Sequence, residues 1–186
     1  MSELSSLFLK VKITKEQLEN FLISSPKTPE LNDNWMVWWN SRDMHSKTSL
    51  GRESLIAYNY ADNKGILEGW LQFKEACAFS DYDQTTEEWR IGIIFFSENF
   101  SEMLPMFAFI TSIENYITES KDNLAIVYPF FWGDSNVSAY LNFEGGKALF
   151  NSKIQTTTDV DPEILNSVTE YLTKKLDELL DNTEIH

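Results

Sequence analysis

The sequence has one cysteine, Cys77, and only two histidines, His45 and His186, among 186 residues. A lone cysteine excludes an intramolecular disulfide and a paired-cysteine zinc site, and we expect Cys77 to be a buried structural thiol. Histidine is the usual general acid or base of enzymes. We expect His45 to be an exposed side chain in a polar segment and His186, the last residue, to be mobile. The histidines therefore predict no catalytic site.

Basic residues are also scarce. The chain has 15 lysines and arginines against 29 aspartates and glutamates, which gives a net charge of −14. A surface of this sign repels the phosphates of nucleic acids and of anionic membranes, so we expect neither as a partner. The same charge favours encounter with one basic protein partner. Acidic surfaces also promote solubility in general, which is the alternative interpretation.

Long apolar runs are absent. No stretch reaches the roughly 18 uncharged apolar residues that a membrane span requires. The beginning, Met1-Ser2-Glu3-Leu4, lacks the basic start and the apolar run of a signal peptide. We therefore expect a cytoplasmic protein. The chain has only 7 glycines and 5 prolines, which argues against a fibrous or linker-rich protein.

Motifs for catalysis and cofactor binding are missing too. The sequence has no glycine-rich dinucleotide or phosphate loop, no nucleophile elbow and no paired-histidine zinc motif. The acids between Asp81 and Glu88 lack the glycine and the terminal glutamate of a calcium-binding EF-hand loop. These absences predict a protein that is not an enzyme and that has no cofactor and no metal site.

One enzymatic alternative rests on paired carboxylates. Glu68 and Glu88 lie close in sequence to Trp70 and Trp89. Glycoside hydrolases use two carboxylates, and sugar sites often add aromatic side chains. A small carbohydrate-active or other hydrolase that uses Glu68 and Glu88 is therefore kept as an alternative.

Apolar residues are abundant, at 42% of the chain, with 13 Phe, 7 Tyr and 6 Trp. We expect a single domain over residues 1–186. Alternating or short apolar runs predict strands at residues 7–13, 35–39, 55–60, 66–73, 89–96, 124–132, 137–143 and 147–155. Turn residues at 62–65 and 145–146 predict two hairpins. The strand at 89–96 is apolar on both faces, so we expect it inside the sheet.

Three helices follow from apolar residues at helical spacing. The first spans about residues 15–24, with Thr14 and Gln17 as a capping box. The second spans about residues 102–119 after a cap at Ser101. The third opens at Asp161-Pro162-Glu163 and buries a stripe of apolar side chains. The elements together predict the α+β class, a mostly antiparallel sheet packed with three main helices.

Acidic and aromatic side chains are the candidates for binding a partner. The leading acids are in a stretch predicted to be a loop and comprise Asp81, Asp83, Glu87 and Glu88. A second acidic cluster comprises Asp177, Glu178, Asp181 and Glu184. On a strand, Trp35 and Trp39 share one face and Trp38 lies on the other. One of these faces is expected in the core, and the other either anchors a partner or is covered as well.

The chain resembles the small acidic immunity proteins of bacterial contact-dependent and polymorphic toxin systems. The resemblance covers most of the chain and rests on its size, its acidity, the run Glu88-Trp89-Arg90-Ile91-Gly92-Ile93-Ile94-Phe95-Phe96 and the hairpin from Trp132 to Lys147. It implies a tight complex with one cognate toxin domain, often a nuclease with a basic cleft. A small acidic secretion chaperone or adaptor is the second hypothesis of the binding type.

Overall fold

The computed structural model describes residues 3–43 and 47–181, and it confirms the α+β class. A six-stranded antiparallel sheet packs with five helices. The strands are β1 (Ser5–Lys12), β2 (Ala78–Asp83), β3 (Glu88–Ser97), β4 (Leu124–Tyr128), β5 (Ala139–Glu144) and β6 (Lys147–Phe150). The helices are α1 (Lys15–Leu22), α2 (Asp33–Asn40), α3 (Asn63–Gln72), α4 (Phe100–Ser112) and α5 (Pro162–Asp181). Four short 3₁₀ turns lie at residues 52–54, 74–76, 113–115 and 157–159.

The sheet has the strand order β2-β3-β1-β4-β5-β6, and helices cover both of its faces. Leu7, Leu9 and Val11 of β1 belong to a core shared with α1 to α4. Phe8, on the other face of β1, belongs to a second core, which α5 covers with Val168, Leu172 and Leu176. The result is three layers, with the first four helices on one side of the sheet and α5 on the other. Both faces of β1 are therefore buried, although alternation of apolar and charged residues is typical of a strand with a single buried face.

Several predicted elements are confirmed together with their capping residues. Thr14 accepts a hydrogen bond from the backbone N–H of Gln17 at the start of α1. Asp161 accepts hydrogen bonds from the backbone N–H groups of Glu163 and Ile164 at the start of α5. Strand β3 lies inside the sheet, between β1 and β2. The Gly145-Gly146 turn joins β5 to β6, although β6 ends at Phe150 rather than near residue 155.

The predicted strand at residues 35–39 is wrong, because this segment is helix α2. Asn32 caps the helix by accepting a hydrogen bond from the Trp35 N–H. Asn34 then holds α2 against β6, since its side-chain amide exchanges two hydrogen bonds with the backbone of Phe150. In a helix, the three tryptophans lie on one broad face that packs against the core. Trp38 therefore does not lie opposite to Trp35 and Trp39, as it would on a strand.

The predicted hairpin at residues 55–73 is also wrong. Residues 55–60 form no strand, and the segment predicted to be the second strand is helix α3. Asp62, which was assigned to a turn, is the cap of α3 and accepts a hydrogen bond from the Gly65 N–H at 2.8 Å. A short apolar run such as residues 66–73 fits the repeat of a strand as well as that of a helix. The N-cap at Asp62 favours the helix.

The acidic stretch at residues 81–88 is a hairpin rather than a continuous loop, since residues 81–83 end β2, residues 84–87 form the turn and Glu88 begins β3. Ala78–Asp83 forms the edge strand β2, which pairs with β3 in register from Ala78 opposite Ile93 to Asp83 opposite Glu88. Helix α4 starts at Phe100, one residue before the predicted Ser101 cap, because Asn99 is its N-cap. The helix ends at Ser112 rather than near residue 119. Strand β4 ends at Tyr128, before Pro129, rather than at residue 132, and it lies inside the sheet between β1 and β5.

The thiol of Cys77 is partly exposed rather than buried, and the residue adopts a left-handed conformation at the end of the 3₁₀ turn before β2. Burial nevertheless raises the pKa of Cys77 above its usual value. Within the part of the chain that the structure describes, no helix has the length and apolar character needed to cross a membrane.

Tyr128 joins β4 to α5, and its phenol should make the stability of the protein depend on pH in the alkaline range. Its hydroxyl lies 3.0 Å from the Thr169 hydroxyl, and burial raises its pKa to about 12. A tyrosine in the unfolded chain has a pKa of about 10. Stability from the neutral phenol is therefore complete below about pH 10 and is lost as the pH rises toward 12, by roughly 2–3 kcal/mol.

We predict that Tyr128→Phe loses less stability than the wild type between about pH 8 and about pH 11.5. At the lower pH the variant should be less stable by about 1 kcal/mol, since the hydrogen bond to Thr169 is gone. Urea denaturation followed by tryptophan fluorescence measures both quantities. An equal alkaline loss in the two proteins would show that Tyr128 does not ionise on unfolding as described. Tyr58, whose pKa burial also raises to about 12, is unchanged in both proteins.

Candidate functional site: the acidic side of the sheet

Asp81, a leading candidate from the sequence, lies on β2 under helix α5. Its carboxylate accepts a hydrogen bond from the Tyr171 hydroxyl at 2.9 Å and lies 3.0 Å from the Lys175 ammonium group. Burial acts first to lower the pKa of Lys175, but its hydrogen bonds to Glu178 and Asp81 outweigh this effect and raise the pKa. Asp81 therefore has a structural role, because it holds α5 to the edge of the sheet.

Glu88 is neutralised within the protein as well. Its carboxylate lies 2.8 Å from the Arg90 guanidinium group and 3.9 Å from the Lys10 ammonium group, and all three side chains are about one-fifth to one-quarter exposed. The Arg90 guanidinium group in turn lies 5.0 Å from the ring centre of Tyr171. This network of paired charges presents little net negative charge to a partner.

Asp83 is the last residue of β2, and Glu87 lies in the tight turn that joins β2 to β3. Asp83 accepts hydrogen bonds from the backbone N–H groups of Thr85 and Thr86, and these bonds lower the pKa of its carboxyl group. Glu87 is exposed, and its backbone oxygen accepts a hydrogen bond from Ile13 at 2.8 Å. The turn borders an open polar cleft of about 570 Å³, whose lining includes Lys12, Glu87, Glu88, Asp122 and Asn123.

The second acidic cluster lies on the last turns of α5. Asp177, Glu178 and Asp181 are exposed, and Glu184 lies outside the described residues. Glu178 pairs with Lys175 at 3.0 Å and with Lys174 at 3.8 Å. Since Lys175 also pairs with Asp81, a single lysine joins the two acidic groups that the sequence predicted separately.

Helix α5 also aligns acids that the sequence analysis did not single out as a group. Glu163, Glu170, Asp177 and Asp181 are all exposed. At about 100° per residue they lie within about 40° of one line along the helix, over a length of about 27 Å. The buried residues Val168, Leu172 and Leu176 lie on the opposite side. We call these four acids the acidic ridge, and the periodicity of the buried stripe would have revealed it.

The three indoles of α2 are not surface anchors. The residues Trp35, Trp38 and Trp39 are at most 4% exposed. The indole N–H groups of Trp38 and Trp39 donate to the backbone oxygens of Ser138 and Thr48. The prediction that this segment supplies an exposed aromatic anchor is therefore wrong.

Exposed aromatic side chains occur instead in the loop between β4 and β5. Phe131 and Trp132 are 48% and 42% exposed, and their ring centres lie 5.1 Å apart. Phe131 also packs against Phe95 of β3 at 5.1 Å. We call Phe95, Phe131 and Trp132 the aromatic platform. The sequence predicts Trp132 at the end of a strand, and nothing in that pattern indicates that its side chain is exposed.

The structure does not bring together the carboxylates of the hydrolase alternative. Glu68 lies on α3, where its carboxylate pairs with Lys64 at 3.5 Å. Glu88 lies on the side of the sheet that α5 covers, with Arg90 and Lys10. His45 and His186 lie outside the described residues. Among residues 3–43 and 47–181, no group of three or more His, Cys, Asp or Glu side chains is arranged to hold a metal ion.

Comparison of the chain with protein-family models, with curated proteins and with solved structures found no match. The class of the protein therefore rests on its architecture, an antiparallel α+β sheet with helices on both faces.

The Asp81 network leads to a prediction that separates structural acids from surface acids. We expect Asp81→Asn to destabilise the protein by about 1 kcal/mol, because a partly buried hydrogen-bonded ion pair is lost. Glu87→Gln, which makes the same chemical change at an exposed position of the same hairpin, should change stability by less than about 0.5 kcal/mol. Urea midpoints at neutral pH measure the difference. Equal midpoints for the two variants would exclude a structural role for Asp81.

Proposed function

We propose that this protein binds one basic protein partner along the acidic ridge and inhibits that partner by covering its basic surface. The main support is the position of the acids on α5. A helix carries partial negative charge at its C-terminal end, so carboxylates there lower stability, whereas cations would raise it. The last turn of α5 has no basic residue, and Asp177 and Asp181 lie in its last five positions.

A sequence that retains acids where they weaken its own helix indicates a use for them outside the fold. Charge complementarity provides such a use, since it steers a basic partner to this side of the molecule and fixes its orientation. An inhibitor of a nuclease works in this way when its carboxylates meet the lysines and arginines that otherwise hold phosphates. This interpretation supports an immunity protein for a cognate toxin.

The aromatic platform supplies a hydrophobic contact for the same interface. Phe95 and Phe130 pack against the core under α5, and so does Leu179 from the last turns of the helix. The platform and the end of the acidic ridge thus border one core. Interfaces combine a few aromatic anchors with a polar rim, and the exposed Phe131 and Trp132 fit the anchor role.

The first experiment recovers the partner from the source cell. The tagged protein is used as bait, bound proteins are eluted by a salt gradient and identified by mass spectrometry, and the activity of the recovered protein is assayed with and without the bait. One basic, folded partner at equal stoichiometry, inhibited by the bait, supports the proposal. Several partners bound through unfolded segments would instead assign the protein to the chaperones.

We predict opposite effects on stability and binding when the ridge acids are changed. Asp177→Asn with Asp181→Asn should raise the free energy of unfolding by about 0.3–1 kcal/mol per residue at low salt, because the unfavourable interaction with the helix dipole is removed. The same double variant should associate more slowly with the recovered partner, and its association rate should depend less on salt. Denaturant titration and stopped-flow kinetics measure the two effects.

The matched control is Glu19→Gln with Glu30→Gln. It removes the same charge from two exposed acids, one of them on α1, which packs on the opposite face of the sheet. It should leave the association rate near that of the wild type. Equal slowing in both double variants would show that only net charge matters, and it would remove the ridge from the proposal.

A further inference from the structure

An aromatic groove lies between α3 and the segment that precedes it. Its lining consists of Tyr58, Tyr60, Ile66, Gly69, Trp70 and Phe73, and its volume is about 240 Å³. Tyr60 and Phe73 are 47% and 53% exposed, so the groove is open to solvent. Ile66 is buried and forms part of the base.

The rings of the groove are held in place by contacts beneath them. Trp70 packs edge-on against Phe96 at 5.4 Å, and the rings of Tyr58 and Tyr60 lie 6.5 Å apart at nearly a right angle. These contacts orient Trp70, Tyr58 and Tyr60 in the absence of any ligand. A preformed site of this type avoids the entropic cost of ordering its side chains on binding.

Two glycines in α3 allow Tyr60 to lie directly against the helix. A β-carbon at Gly69 would lie 2.7 Å from the Tyr60 hydroxyl oxygen, and one at Gly65 would lie 2.9 Å from the Tyr60 ring. Glycine inside a helix lowers stability by about 1 kcal/mol relative to alanine. The ten-residue helix α3 contains both Gly65 and Gly69. The two glycines let the half-exposed Tyr60 pack closely against the helix, but they also make the helix less stable.

The lining of the groove indicates the chemistry of its ligand. It contains aromatic faces and two phenol hydroxyls but no carboxylate and no amide side chain. Sugars need several such polar partners to fix their hydroxyls. Proline-rich segments instead form an extended left-handed helix without internal hydrogen bonds, so their rings fit between aromatic side chains and their backbone oxygens accept from hydroxyls.

Charge favours a basic ligand. Glu102 lies close enough to Tyr58 to act on it electrostatically, and the chain as a whole carries a charge of −14. The same net charge disfavours a second copy of this protein as the occupant, because two such molecules repel each other.

We propose that the aromatic groove binds a proline-rich segment with flanking basic residues. This goes beyond the function proposed above, because the groove and the acidic ridge lie on opposite sides of the sheet. The two proposals can therefore fail independently.

The probe is a synthetic peptide of about eight prolines with an arginine at each end, long enough for several turns of the polyproline helix. Binding to the full chain is measured by calorimetry and by the change in tryptophan fluorescence. We expect saturable binding at equal stoichiometry. A peptide with the same arginines and with glycine and serine in place of proline should bind at least about tenfold more weakly, which corresponds to 1.4 kcal/mol.

Variants at the groove distinguish this site from nonspecific attraction to an acidic protein. Tyr60→Ala and Phe73→Ala remove half-exposed rings, so thermal melting should show a folded protein, and peptide affinity should fall at least about tenfold. Gly69→Ala should also weaken binding by displacing Tyr60. Ile56→Ala is the matched control, since Ile56 is 65% exposed and does not line the groove. The variant with Asp177→Asn and Asp181→Asn should bind the peptide like the wild type.

Three outcomes would overturn the proposal. The first is the absence of saturable binding of the proline peptide to the folded wild type. The second is binding that persists in both Tyr60→Ala and Phe73→Ala. The third is binding of a cello-oligosaccharide in place of the peptide, or self-association in sedimentation that Phe73→Ala abolishes, since either result assigns the groove to a different occupant.

Discussion

The rest of the structure depends on the burial of strand β1 from both sides. β1 lies between β3 and β4 and pairs with both, and its side chains belong to two separate cores. Because both faces of the sheet are covered, charged side chains on its strands such as Asp81 and Arg90 are paired, and the exposed acids lie mainly on helix surfaces and in turns. The partner-binding side proposed above is therefore the side of the covering helix that carries the acidic ridge, which is α5.

The sequence predicted this architecture well where the periodicity was long or the caps were clear. The alternation in β1, the two-faced apolar run of β3 and the proline-initiated helix α5 each extend over enough residues to distinguish a strand from a helix. The failures at α2 and α3 occur in short aromatic or apolar windows that fit both periods. In each case the deciding residue is an N-cap, Asn32 for α2 and Asp62 for α3, and neither residue was predicted as a cap.

The negative charge of the candidate site was predictable from the sequence, but the ion pairs that its acids form within the protein were not. The excess of acids is plain from composition, whereas the partners of Asp81 and Glu88 depend on strand register and on the path of α5 across the sheet. Lys175 is distant from Asp81 in sequence, and only the folded chain brings their charges together. The same limit applies to Trp132, since single residues in an irregular loop leave no periodic signal of exposure.

Two surfaces on this protein carry features that weaken the fold itself. On α5, carboxylates occupy the end of the helix where the dipole disfavours them, and on α3, two glycines replace better helix formers beneath an exposed tyrosine. In a marginally stable protein a loss of about 1 kcal/mol is a large part of the total. Sequences that break local rules at the surface, while the core obeys them, do so most often at sites that bind.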